Sequence, residues 1–267
     1  SKAFIHPADL IREIQASGDV NVSTQADAAI DYAATVDRVY THIDGVEARV
    51  RQSLQAVERL DLIPHFVRFI GPRMLAYNGT VVTADRVVIN TGAQPSIPNI
   101  PGLADTPYMT STDILRRRDR CDHLLVLGGG YIGCELSHWQ SAAGAKVTQL
   151  VRSTTLKHTD EEVREEFMRV YTSHVTVREH TTPTSVAYDE HSGLFSLSLP
   201  DGEVLTGDGL LVATGVTPAT KGLGVEEAGL ALTDRGFIQT DKYFRTNVEG
   251  VYAVGDINGK ALFRHAA

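Results

Sequence analysis

The chain has 267 residues, 42% of them hydrophobic, and a formal net charge of −8, a globular composition long enough for two domains of ordinary size. The acidic balance argues against a nucleic-acid partner, because a phosphate backbone selects basic faces. No apolar run approaches the roughly 20 residues that span a bilayer, and Ser1 starts no signal peptide; no membrane partner and a cytoplasmic location are expected.

Residues 2–16 place Phe4, Ile5, Leu10, Ile11 and Ile14 at helical spacing, with Pro7 tolerated in the early turns. A polar loop containing Gly18 follows. From about Gln25 to Leu60 the apolar positions Ile30, Val36, Val39, Ile43, Val46, Val50, Leu54 and Val57 predict a long helix, bent at Gly45, with a solvated charged face. The period then changes. Residues 66–70, 73–77 and 80–82 read as short strands, the last two joined by Asn78-Gly79, a strong hairpin signal because both positions take positive φ. Residues 86–90 form an apolar strand ending in Thr91-Gly92-Ala93-Gln94-Pro95. A proline-rich extended crossing and a short helix at 112–118 precede the next strand.

Leu124–Leu127 is that strand, and it runs directly into Gly128-x-Gly130-x-x-Gly133 and a helical pattern through Leu136, Trp139 and Ala143. Strand, glycine turn and helix in this order make a dinucleotide-binding unit. Gly128 allows the tight turn, Gly130 lets the backbone approach a pyrophosphate, and Gly133 lets the helix pack against the strand. The helix N-terminus, around Tyr131 and Ile132, would receive the anion. Val147–Val151 is the next parallel strand and ends at Arg152-Ser153, about 20 residues past the turn, where an NAD site carries an acid for the ribose 2′-hydroxyl. Here an arginine stands there and Lys157 follows, which suits a 2′-phosphate. NADP is therefore favoured over NAD, and the other reading of Arg152 is a charged cap on a surface strand end.

Asp160–Tyr171 predicts a helix with Val163, Phe167, Val170 and Tyr171 inward, and Val175 and Val177 mark a further strand. Residues 184–212 are strand-like, with turns at 191–193 and 201–202. Leu210–Gly215 repeats the earlier pattern of an apolar strand ending in Thr-Gly and then a proline, which suggests two related domains. Phe244–Asp256 reads as a turn, an apolar strand and Gly255-Asp256 at the strand's carboxyl end, the edge where ligands of open α/β sheets collect. Asp256 would there accept hydroxyls of a sugar-like chain, or serve as a helix N-cap. The two cysteines, Cys121 and Cys134, lack C-x-x-C or C-x4-C spacing and read as small buried hydrophobes. Cys121-x-His123 has no second pair to complete a metal site.

Four stretches together resemble the flavoprotein (pyridine nucleotide) disulfide reductases: Thr91-Gly92-Ala93-x-Pro95, Gly128-x-Gly130-Tyr-Ile-Gly133-x-Glu135, Ala213-Thr-Gly215, and Thr246–Asp256. Within that family Arg152, Leu156-Lys-His158 and Leu262-Phe-Arg-His265 look most like mycothione reductase, while Tyr131-Ile-Gly133 is equally at home in dihydrolipoamide dehydrogenase. The resemblance implies FAD and NADP as cofactors, a small-molecule disulfide substrate and a homodimer for the full-length enzyme. It also implies that Tyr131 covers the flavin, that Glu135 pairs with Lys2, that Asp256 binds the flavin's ribitol, and that Thr91-Gly92 lines the flavin cleft. The chain departs from the pattern in lacking a first GxGxxG, the redox C-x4-C and the His-Glu base, and Val216 stands where an Arg commonly follows Ala-Thr-Gly. An internal fragment, inactive in thiol chemistry by itself, is therefore expected. The expected fold is α/β, with two Rossmann-like domains: an incomplete FAD-type domain from 1–110 and 217–267, and an inserted NAD(P)-binding domain over 111–216. The alternatives are an NAD enzyme like dihydrolipoamide dehydrogenase, a flavin reductase with a non-disulfide acceptor, and a redox-inert nucleotide-binding module.

Overall fold

The computed structural model describes residues 2–17 and 28–262. Ser1, the loop around Gly18, the predicted helical residues 25–27 and Phe263-Arg-His265 lie outside the described residues. The fold is α/β and divides into two compact units, 1–53 with 97–215 and 54–96 with 216–267.

The first unit is built on a parallel sheet. Its strands are β6 (His123–Leu127), β7 (Lys146–Leu150), β8 (Thr176–Arg178) and β12 (Gly209–Val212), in the spatial order β12-β6-β7-β8. Successive residues of a strand point to opposite faces, and β6 shows what each face meets. Leu124 and Val126 pack with Cys134, Leu136, Val147 and Tyr171 on the helical side. Leu125 and Leu127 pack on the other side with Leu150, Leu197, Leu210 and Val212. That second side is covered by an antiparallel meander of β9 (Ser185–Asp189), β10 (Leu194–Ser198) and β11 (Val204–Gly207). Because both faces are covered, β6 reads as an unbroken apolar run rather than an alternating one.

The helices of this unit are α1 (Lys2–Ala16), α2 (Tyr32–Gln55), α3 (Ser111–Arg116), α4 (Tyr131–Ala142) and α5 (Glu161–Tyr171). Asp160 starts α5, its side chain accepting from the N–H groups of Glu162 (3.1 Å) and Val163 (3.4 Å), and Glu161 and Glu162 suit the positive end of the helix. The inward face of α5 is narrower than its spacing predicts. Tyr171 is buried and Phe167 partly so, whereas Val163 and Val170 are exposed. The long helix runs from Tyr32 to Gln55 through Gly45 as one element, and only its first half is buried, through Tyr32, Val36 and Val39. Those residues join Phe4, Ala8 and Trp139 in a separate core; Trp139 is 0% exposed, with the Phe4 ring edge-on at 5.2 Å and the Tyr32 ring stacked at 5.3 Å. The spatial division therefore departs from the expected 1–110 segment. Its helical part packs on α4, because aromatic burial against Trp139 outweighs adjacency in sequence.

In the second unit β1 (Arg68–Gly71), β2 (Met74–Tyr77) and β3 (Thr80–Thr83) form an antiparallel meander, the β2–β3 turn having φ 44 at Asn78 and 80 at Gly79. Strand β4 (Val87–Ile89) pairs in parallel with β14 (Val251–Ala253), and β5 (Ala93–Pro95) pairs antiparallel with β13 (Val216–Pro218). Its core gathers Phe69, Ile89, Ala228, Ile238, Val251, Ala253 and Ile257. The expected nucleotide-type sheet is present here as one parallel pair.

Candidate functional site

The glycine turn between β6 and α4 is fixed from several sides. Gly128 has φ 117, and a Cβ there would strike the Ala213 carbonyl oxygen at the end of β12. Parallel register of Leu127 with Val212 brings Gly128 onto that strand end, one residue before Thr214-Gly215. A Cβ at Gly133 would lie 2.6 Å from the Gly128 oxygen and 3.1 Å from Gln149 Nε2, so α4 packs on the turn only because position 133 has no side chain. At Gly130 a Cβ would meet nothing within 4 Å. Gly130 is the N-cap of α4, in extended backbone and with no side-chain cap, so no side chain at position 130 stands in the way of the helix start. That cradle, with an uncapped helix end, fits a pyrophosphate.

Sequence reasoning overlooked Gly129. A Cβ there would come 2.5 Å from Val151 Cγ1 and 3.2 Å from the Thr155 Cα, and the Gly129 carbonyl accepts from the Leu156 N–H at 2.8 Å. The middle glycine thus docks the segment after β7 against the turn, and the run Gly128-Gly129-Gly130 was its only sequence signal. The same segment carries Arg152, Ser153 and Lys157. Arg152 and Lys157 are exposed, and neither has a hydrogen-bond or ion-pair partner among the described residues. Glu179, just past β8, holds the segment by accepting from the Thr155 N–H at 2.6 Å; no pattern in the sequence pointed to it.

On α4, Tyr131 is 57% exposed, and Glu135 is half-buried. Both line a cavity of about 310 Å³ with Asp9, His138, Leu156, Phe167 and His174. Lys2 is exposed at the start of α1, and no ion pair joins it to Glu135 among the described residues. The polar contacts between the two helices are instead His138 Nε2 with Asp9 Oδ1 at 2.9 Å and Arg12 with Ser141 Oγ at 2.9 Å. Cys121 and Cys134 are buried, each thiol pushed up to about 11 chiefly by desolvation.

In the second unit the Ile89–Ala253 register brings the carboxyl ends of β4 and β14 side by side. Thr91-Gly92 follows one strand and Gly255-Asp256 the other. Thr91 Oγ1 donates to the Ala219 carbonyl at 3.3 Å, and Gly92 and Gly255 have φ 71 and 73. Asp256 lies inside the short 3-10 helix Gly255–Asn258, whose N-cap is Val254, so the N-cap reading of Asp256 does not hold. Asp256 is half-buried just past the carboxyl end of β14, and its carboxylate is an acceptor suited to a polyhydroxyl chain.

The pyridine nucleotide-disulphide oxidoreductase family matches residues 3–267. Mercuric reductase of Shigella flexneri is 41% identical over 190 residues, covering 70% of this chain and 34% of that protein. Mycothione reductase of Mycobacterium tuberculosis is 30% identical over 275 residues, covering 100% of this chain and 59% of the relative. The solved structure of the HOCl-induced flavoprotein disulfide reductase RclA from Escherichia coli, as a Cu(II) complex, superposes with a TM-score of 0.87 at 25% identity, over 99% of this chain and 57% of that one. The chain thus spans less than two thirds of the length of these relatives.

Proposed function

The chain belongs to the pyridine nucleotide-disulphide oxidoreductase family, and from that premise we propose that it forms the NADPH-binding part and one edge of the FAD site of a disulfide reductase similar to mycothione reductase. The observation that carries the reading is the glycine turn, open at Gly130 and closed at Gly128, Gly129 and Gly133. The N–H groups at the start of α4 would hold the pyrophosphate, and Arg152 and Lys157 the 2′-phosphate. Tyr131 and Glu135 would border the nicotinamide, while Asp256 and Thr91-Gly92 would take the ribitol side of FAD. When bound, the nicotinamide supplies a hydride and the flavin relays two electrons towards a disulfide. The 267 residues contain no C-x4-C and no second GxGxxG, so thiol exchange is not a reaction of these residues alone. A homodimer and a cytoplasmic location are part of the proposal for the whole protein. The 41% identity to a mercuric reductase favours, as a second reading, a mercuric ion as the acceptor.

The test is Gly130→Leu. The backbone at Gly130 is extended (φ −86, ψ 179), which any residue adopts, and the added side chain enters open space, so the variant should fold. Its leucine would occupy the pyrophosphate's approach, and calorimetry should show NADPH weakened by at least about tenfold, the equivalent of one or two charge-assisted hydrogen bonds. Unchanged affinity in the folded variant would overturn the assignment.

A further inference from the structure

Gln149 is a fully buried amide in β7, between the buried Thr148 and Leu150. Its Nε2 donates to the Gly128 carbonyl oxygen at 2.7 Å, and its Oε1 accepts from Tyr171 Oη at 2.6 Å. A primary amide has a donor end and an acceptor end, and the phenol decides which faces the turn. With the amide reversed, its oxygen would oppose the Gly128 oxygen. Burial pushes the Tyr171 phenol up, so it keeps its proton and donates. Polar side chains at such positions are costly unless fully matched, and this pair is matched through the one carbonyl that begins the glycine turn.

Every described peptide is trans, and in a trans peptide the C=O and the following N–H point in opposite directions. Drawing the Gly128 oxygen inward therefore turns the Gly129 N–H away from the interior. We infer that Gln149, oriented by Tyr171, is a positioning residue that sets the Gly128–Gly129 peptide for a dinucleotide's pyrophosphate. The inference rests on the nicotinamide-dinucleotide reading above. Neither residue belongs to the glycine pattern: Gln149 reaches the turn from β7, and Tyr171, at the end of α5, reaches Gln149.

The test compares NADPH with adenosine 2′-monophosphate, which keeps the 2′-phosphate but has no pyrophosphate, in calorimetric titrations of wild type, Gln149→Leu, Tyr171→Phe and the double variant. Denaturant unfolding of each reports stability. Each single variant strands a buried polar partner and should lose stability; the double variant strands only the turn carbonyl and should regain much of it. NADPH should be weakened about tenfold in Gln149→Leu and in the double variant, with adenosine 2′-monophosphate within about twofold of wild type. Unchanged NADPH affinity in the folded double variant would overturn the inference alone. Equal weakening of both ligands would also overturn it, since that is general loosening. A wild-type chain that binds neither ligand would defeat the nucleotide reading, and the inference with it.

Discussion

Arg152, two residues past the end of β7, is exposed, and its nearest cationic companion in sequence, Lys157, is exposed as well. The segment bearing them is anchored by Glu179 at Thr155 and by Gly129 at Leu156, so two cations without an ion-pair partner among the described residues are presented on a held backbone. An acid at 152 would replace attraction to a 2′-phosphate by repulsion. Arg152→Glu is therefore expected to weaken NADPH by about tenfold to a hundredfold, the range of about 1–3 kcal/mol for a charge partner reversed at close quarters, and to leave NADH almost unchanged. The ratio of the two dissociation constants, measured at one ionic strength because exposed charges are screened, checks it. A wild-type preference for NADH would end the argument from Arg152.

Where α1, α4 and the end of α5 meet, two histidines and an aspartate lie in contact. His138 Nδ1 lies 3.2 Å from His174 Nε2, and its other nitrogen meets Asp9 at 2.9 Å. His174 is pushed down to about 4 by burial, then by the Arg12 charge, then by His138. In the unfolded chain it would take a proton near pH 6.5. The folded state thus binds fewer protons between these values. The stability this gives is complete above about pH 6.5 and is lost as the pH falls towards 4. For a half-buried group the loss should be about 1–3 kcal/mol. Unfolding free energies from denaturant melts should fall across that window in wild type and fall less in His174→Asn. The same slope in both would show that His174 does not govern it.

At the scale of the whole molecule the two units are unequal. The first has a four-stranded parallel sheet with the glycine turn at its carboxyl edge, while the second has one parallel pair ending at Thr91 and Asp256. Val88, on that pair, is 62% exposed. The 267 residues contain a single GxGxxG, in the first unit, so on the proposed flavin reading these residues supply no second turn of N–H groups for the flavin's pyrophosphate. At about 1.5–3 kcal/mol for each hydrogen bond to a charged group, their lack should lower FAD affinity by several decades. The purified 267-residue polypeptide is expected to emerge colourless from gel filtration after incubation with FAD. A stoichiometric yellow flavin spectrum would refute this.

The amino-acid sequence by itself determined the strand, glycine turn and helix at 124–143, the hairpin at Asn78-Gly79, the strand over 147–150 that leads to Arg152, and the family pattern. These are local features, in which period, turn chemistry and spacing act over a few residues and need no knowledge of the rest of the chain. Tertiary structure alone decided which apolar faces were buried. Val163 and Val170 have helical spacing and stay exposed, and the helices of residues 2–53 pack around Trp139 rather than with the segment that follows them. It also decided that Asp256 is no N-cap, and that Gln149, which accepts from Tyr171, donates to the Gly128 carbonyl of the glycine turn. Such contacts join residues far apart in the chain. Their partners are selected by where packed elements come to rest, which no local pattern encodes.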